Sequence, residues 1–97
     1  MSYELVFDWR ALKEWRKLDQ TLRKQFKTKL ADVLVEPHIA KNKLRELPDC
    51  YKIKLRSSGY RLIYQVQQRQ LVVFIVAVGK RNRGQAYSTA GKRLDCR

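Results

Sequence analysis

A chain of 97 residues with 44% apolar side chains can build one small hydrophobic core, so a single domain over residues 1–97 is expected. Its 22 lysines and arginines against 9 aspartates and glutamates leave a formal charge of +13, an excess that weakens a compact state and therefore points to an anionic partner. A membrane span is excluded, because the longest apolar run, residues 71–78, has eight residues where about 20 are needed.

Residues 3–7 are short, apolar and aromatic-rich, and read as a first strand. Asp8 can cap a following helix through its carboxylate. Ala11, Leu12, Trp15 and Leu18 then recur at helical spacing. The turn Asp19-Gln20-Thr21 supplies another cap, and Leu22, Phe26, Leu30, Val33 and Leu34 carry the pattern through a second helix that Pro37 stops. The two make a helical hairpin with Arg10, Lys13, Arg16, Lys17, Arg23, Lys24, Lys27 and Lys29 on its outer surface. Glu14, Asp19 and Asp32 are the acids nearby. A charged helix face is ordinarily only a solvated one, but this imbalance gives it an electrostatic role.

A loop over residues 37–49 carries His38, Lys41, Lys43 and Arg45. His38, the sole histidine, reads as a solvated loop residue. Residues 50–55 form a second strand, Ser57-Ser58-Gly59 a tight turn, 60–66 a third strand and 67–70 a polar turn. Residues 71–78 are apolar on both faces, which predicts a fourth strand in mid-sheet with a helix covering one side. The basic loop Gly79-Lys80-Arg81-Asn82-Arg83-Gly84 follows, and residues 86–94 form either a short helix or a mobile tail. The order β-α-α-β-β-β defines an α+β class: a small antiparallel-type sheet with a helical hairpin on one face and a short C-terminal helix.

Alternation in the second strand sends Tyr51, Ile53 and Leu55 to the core and Lys52, Lys54 and Arg56 outward together. Arg61 starts the antiparallel neighbour and lies close by. Lys80, Arg81 and Arg83 come from the loop after the central strand, and Tyr87, six residues beyond Arg81, can fold back over the same face. The result is a basic cleft with an aromatic beside it, which suits RNA ahead of an anionic membrane or an acidic protein. It also suits cleavage by a ribose 2′-hydroxyl, because pre-placed cations stabilise a dianionic phosphorane and arginine matches phosphate oxygens with a planar fork. No metal or other cofactor is indicated: Cys50 and Cys96 sit in no metal-ligand spacing and read as a half-buried thiol and a tail thiol in a reducing cytosol. Without histidine chemistry, the proton acceptor must be Lys52 or Lys54, driven down by cationic neighbours, or Tyr87. Arg81 is a poor general acid but an adequate hydrogen-bond donor to a leaving oxygen. Charge and spacing alone favour a basic binding surface without catalysis, with Tyr87 simply packed on a helix.

Three strings weigh against that plainer reading. ALKEWRKL (residues 11–18), NKLRELPDCYKIKLRSSGYRLIYQV (42–66) and VGKRNRGQAYS (78–88) resemble the RelE family of bacterial toxins, over residues 1 to about 94 and with no large insertion. The resemblance implies a RelE/ParE-like fold and a metal-independent endoribonuclease of the cytoplasm. Such an enzyme enters the ribosomal A site and cuts messenger RNA within the codon, leaving a 2′,3′-cyclic phosphate. It places the catalytic set on Lys52, Lys54, Arg61, Arg81 and Tyr87. Arg61 would steady the transition-state phosphate and Arg81 would assist the leaving oxygen. Tyr87 would stack on a base and help remove the 2′ proton, while Lys52 and Lys54 would bind the phosphate and tune or take that proton. Arg45, Arg56, Lys80 and Arg83 would contact RNA, including small-subunit ribosomal RNA.

The implied partner is a RelB-type antitoxin that wraps the toxin, displaces its C-terminal helix and represses the operon. Operator DNA is then reached only through the antitoxin, and no membrane is involved. The alternatives are a non-catalytic basic module and a ParE-like toxin directed at gyrase. ParE-type chains usually lack this set of cations and the late tyrosine. The chain departs from the RelE pattern at its end, where Gly84, Gly91 and the tail Leu94-Asp95-Cys96-Arg97 weaken a helix, glycine costing about 0.5–1 kcal/mol relative to alanine.

Overall fold

Two aspartates start the leading helices in the computed structural model, which describes residues 2–45, 47–80 and 85–95, with the backbone alone at 85–88 and 95. Asp8 accepts a hydrogen bond of 2.8 Å from the Arg10 N–H at the head of α1 (Trp9–Lys17). Asp19 accepts one of 2.8 Å from the Leu22 N–H at the head of α2 (Gln20–Val35). These are the caps expected from the sequence, each satisfying one of the N–H groups that a helix leaves unpaired at its start.

The sheet contains β1 (Glu4–Phe7), β2 (Cys50–Lys54), β3 (Tyr60–Gln67) and β4 (Val72–Lys80), in the order β1-β4-β3-β2. The apolar run is central, as its two-sided hydrophobicity requires. Short turns join β2 to β3 and β3 to β4, and both pairs are antiparallel. Gly59 sits in the first turn at φ 76°, a backbone region that glycine enters without a Cβ clash. The expectation of an antiparallel-type sheet needs one correction: β1 runs parallel to β4. Between β1 and the rest of the sheet lies the whole helical hairpin, and a connection of that length is what a parallel edge strand demands.

The first face of the sheet packs on the hairpin. Phe26, Leu30 and Val33 of α2 meet Tyr51, Ile53, Leu62, Tyr64 and Ile75 in one buried cluster. The Tyr64 hydroxyl donates a buried 2.9 Å hydrogen bond to the Pro37 carbonyl, and its ring stacks on Tyr51 at 5.5 Å. His38 is exposed, as expected, and sets its edge against Tyr3 and Tyr51.

A helix was expected to cover one side of β4, with residues 86–94 as a short helix or a mobile tail. Here α3 (Gln85–Asp95) covers the second face, where Ala90 and Leu94 close over Ile63, Val76 and Ala77. Cys50, expected half-buried, is fully buried in this second cluster. The β3–β4 register shifts at Ile63/Tyr64: Ile63 pairs with Ala77 and Tyr64 with Ile75, which leaves Val76 as a bulge. Val76 and Ala77 therefore both face α3, while Ile75 and Val78 face the hairpin.

Glu14 does not balance the hairpin's cations. Its carboxylate receives a fork from Arg93 of α3, at 2.8 and 3.0 Å, and the Val78 N–H of β4 at 3.0 Å. The same guanidinium donates to the Val76 carbonyl at 2.8 Å. One ion pair thus joins α1, the bulge and α3, and α3 runs unbroken through Gly91. Arg93→Ala should lower the unfolding free energy by about 1–2 kcal/mol, the net worth of a partly buried charge-assisted pair. The check is a reduced urea midpoint with an unchanged slope.

Asp8 offers a pH test. Burial by itself raises its carboxyl, but the Arg10 side chain and N–H, the guanidinium charge and the Ala11 N–H outweigh burial and hold it below the usual carboxylate range. A depressed carboxylate contributes stability that is fully present above its unfolded value, about 3.9, and is lost as pH falls through the folded value. Asparagine is an equally good cap, so Asp8→Asn removes the charge while keeping the cap. Thermal melts should show a lower Tm for Asp8→Asn at pH 7 and convergence with wild type below about pH 4.

Candidate active site

The strand registers build the site. Lys54 of β2 is the direct partner of Arg61 of β3, and Arg61 is the direct partner of Gly79 of β4. Directly opposed residues share a face with Cβ positions about 5 Å apart, so the three stand in one row across the sheet. Alternation places that row opposite the hairpin: Tyr51, Ile53 and Leu55 are buried toward the helices, as are Leu62 and Tyr64. Lys52 stands two residues back along β2, opposite Ile63. Lys54 is exposed, whereas Lys52 and Arg61 are half-buried and the Arg61 Nε is out of solvent.

This is also the face that α3 covers. Its apolar patch ends at Ile63 and Ala77, and the cationic row begins one step further along the strands. Like charges set directly opposite each other destabilise a sheet, so a pair such as Lys54 and Arg61 is well suited to an anion lying across both. Among the described residues no group of three or more His, Cys, Asp or Glu is placed to hold a metal ion.

The other expected site residues fall out differently. Arg56 lies in the turn after β2 and is exposed. With Lys52 and Lys54 it lines a cleft of about 620 Å³ along the sheet edge, together with Lys29, Asp32 and Lys41. The sequence placed Lys29 on the outer surface of the hairpin. Its approach to the β2 cations depends on how α2 crosses the sheet, and no local spacing encodes that crossing.

Lys80 pairs with Tyr60, whose ring packs on the hairpin-side cluster, so Lys80 leaves β4 on the face opposite Arg61. Arg45 is exposed in the loop before β2, and Leu44 beside it is tied to Cys50 by a 2.9 Å backbone hydrogen bond. Cys50 is the far end of β2 from Lys54, about 13 Å away at 3.3 Å per residue. Arg45 and Lys80 therefore do not join the row. Tyr87 belongs to the backbone of α3, on the site's face of the sheet, and its side chain is outside the described residues, as are Arg81 and Arg83.

Comparison with known proteins places this arrangement among relatives. The family described as ParE toxin of type II toxin–antitoxin system, parDE, matches residues 5–84. The chain is 63% identical over 94 residues to the mRNA interferase toxin RelE of Escherichia coli (strain K12), covering 97% of this chain and 99% of that protein. The structure of a mutant E. coli toxin RelE in the free state superposes with a TM-score of 0.90 at 61% identity, covering 97% of this chain and 99% of that one. A chain of the intact E. coli RelBE toxin–antitoxin complex superposes with a TM-score of 0.82 at 63% identity, covering 84% and 100%. By sequence over nearly its full length and by fold, the chain belongs to the RelE/ParE family of type II toxins.

Proposed function

We propose that this protein is the toxin of a type II toxin–antitoxin pair and a metal-independent, ribosome-dependent endoribonuclease that cuts messenger RNA in the A site. The observation that carries the reading is the directly opposed Lys54–Arg61 pair, set on the sheet face that α3 covers, with Lys52 a step back on the same strand. In the reaction the ribose 2′-oxygen attacks the adjacent phosphorus and loses its proton to a base. The bond from phosphorus to the 5′-oxygen breaks, and that oxygen takes up a proton. The products are a 2′,3′-cyclic phosphate and a 5′-hydroxyl.

Arg61 and Lys54 flank the phosphate and stabilise the negative charge that builds on its non-bridging oxygens. Lys52, a step back on the same strand, adds to that field and receives or tunes the 2′ proton. Arg81 donates to the departing oxygen. Tyr87, carried by α3 over this face, stacks on a base and assists deprotonation. Arg45, Arg56, Lys80 and Arg83 hold RNA outside the reacting linkage. Arg45 and Lys80, on other surfaces, suit ribosomal RNA rather than the message. No histidine or carboxylate joins the row, so catalysis rests on charge and on in-line positioning, which the ribosome supplies by holding the codon. The ribosome and its message place the action in the cytoplasm. No helix among the described residues is long and apolar enough to cross a membrane.

A RelB-like antitoxin is the partner that neutralises the toxin, and the pair represses its own operon through the antitoxin's DNA-binding part. An acidic segment suits the +13 chain. If the antitoxin displaces α3, it must break the Glu14–Arg93 pair, so that pair's energy is subtracted from binding. Arg93→Ala should then bind antitoxin roughly 5- to 30-fold more tightly, the equivalent of about 1–2 kcal/mol. Calorimetric titration measures this, and unchanged affinity would mean that α3 stays in place.

For the reaction, Arg61→Ala should lose on the order of 10²-fold or more in single-turnover cleavage on programmed ribosomes, with ribosome affinity little changed. Wild-type rates from this variant would refute the assignment. Mapping message 5′ ends after induction separates the rival classes. New ends inside codons mark cleavage, whereas intact messages with damaged DNA mark a ParE-like action on gyrase, and intact messages with intact DNA mark a non-catalytic binder.

A further inference from the structure

Gly79 occupies a position where the fold does not ask for glycine. It lies inside β4, paired with Arg61, and its backbone is not in the left-handed region that glycine alone favours; among the described glycines that distinction falls to Gly59. A Cβ built on Gly79 meets no atom of the described residues within 4 Å. The position is half-buried, between Val78 on one side in the chain and the exposed Lys80 on the other. Glycine inside a strand is a local cost, since it surrenders the most backbone freedom on folding and offers no side chain to pack, whereas β-branched residues are favoured there. Glycine inside a strand often marks a bulge, a tight bend, or a place where a ligand or another backbone comes close, and the β4 bulge lies three residues away, at Val76.

The surroundings say what comes close. Gly79 ends the row Lys54–Arg61–Gly79, so its bare Cα is the floor immediately beside the Arg61 side chain, on the face that α3 covers further along. Among the described residues, its neighbours on this face are the cations Arg61 and Lys54 across the sheet and the apolar Ala77 and Ile63 one step back. A group that fits there is flat or small where it meets the strand and anionic toward Arg61. A ribose-phosphate unit of a single RNA strand has both properties.

We propose that Gly79 is a positioning residue for the RNA substrate. The absence of a side chain lets the sugar-phosphate backbone settle against β4, so that the reacting phosphate comes level with the Arg61 guanidinium. The inference rests on the endoribonuclease reading above and extends it to a residue that carries no reactive group. A methyl group at this position would lift the strand off the floor without touching any cation. Displacement of about 1 Å from an in-line geometry costs up to about 10²-fold in rate.

The test uses the full chain with Gly79→Ala and Gly79→Val, each measured for thermal stability, for ribosome binding and for single-turnover cleavage of messenger RNA on programmed ribosomes. Stability and activity should move in opposite directions. Tm should stay unchanged or rise, more for valine than for alanine, because both are better strand formers. Ribosome affinity should stay at the wild-type level. Cleavage should fall about 10-fold with alanine and about 10²-fold or more with valine. Wild-type cleavage by both variants would overturn the proposal. So would a Tm lowered by several degrees in both, because the glycine would then serve the fold. Arg61→Ala run in parallel separates the two levels of failure. Inactive Arg61→Ala with fully active Gly79 variants removes this inference alone, whereas fully active Arg61→Ala removes the catalytic reading and this inference with it.

Discussion

The central strand must be buried on both faces, and the architecture follows from that demand. Ile75 and Val78 turn to the helical hairpin, and Val76 and Ala77 turn the other way. The hairpin supplies the first cover with two long helices. The second comes from α3, whose Ala90 and Leu94 are its described members of the cluster, together with Leu44 and Leu47 of the loop before β2. The Arg93 fork onto Glu14 adds a directional tie that dispersion lacks. Because the cationic row begins where this cover ends, stability of the second face and access to the site are set by the same helix.

The charge distribution shows a division of labour. Asp8 takes Arg10 and Glu14 takes Arg93 in forked pairs that hold helix ends and helix packing. Over Trp9, 65% exposed at the head of α1, the Lys13 ammonium and the Arg10 guanidinium rest at 4.9 and 5.5 Å from the ring centre. Acids are few, and where they pair with arginine in forks they hold architecture together. The lysines and arginines of β2, β3 and the adjoining cleft stand side by side with like charge, and a polyanion that lies along them relieves that repulsion.

Much of this was legible in the chain. The alternation Tyr51, Ile53, Leu55 against Lys52, Lys54 fixed which way the cations face, and the two-sided run after Leu71 fixed the centre of the sheet, because both signals are local and periodic. Asp8 and Asp19 announced their helices for the same reason. What escaped was long-range. Nothing near Glu14 indicates an arginine 79 residues away, and nothing near Lys29 indicates the β2 edge. The parallel pairing of β1 followed from the length of a connection, and the burial of Cys50 from a helix that the glycines near the C-terminus made doubtful. Lys80 and Arg45 joined the expected site because they are basic and near it in sequence, yet strand parity puts the first on the opposite face and strand length puts the second at the far end.

The extra residue at Val76 also sets a phase. If β3 and β4 paired without interruption from Tyr64–Ile75 onward, Ile63 would meet Val76, Leu62 would meet Ala77, and Arg61 would meet Val78. One inserted residue advances the count, so that the partner of Arg61 becomes Gly79 and the bulky valine rotates into the hairpin core. A single-residue deletion in that stretch would keep the composition of the strand nearly intact and still wall off the guanidinium. Here an irregularity in hydrogen bonding acts as a frame-setting device, deciding which side chain a distant arginine is given as its neighbour.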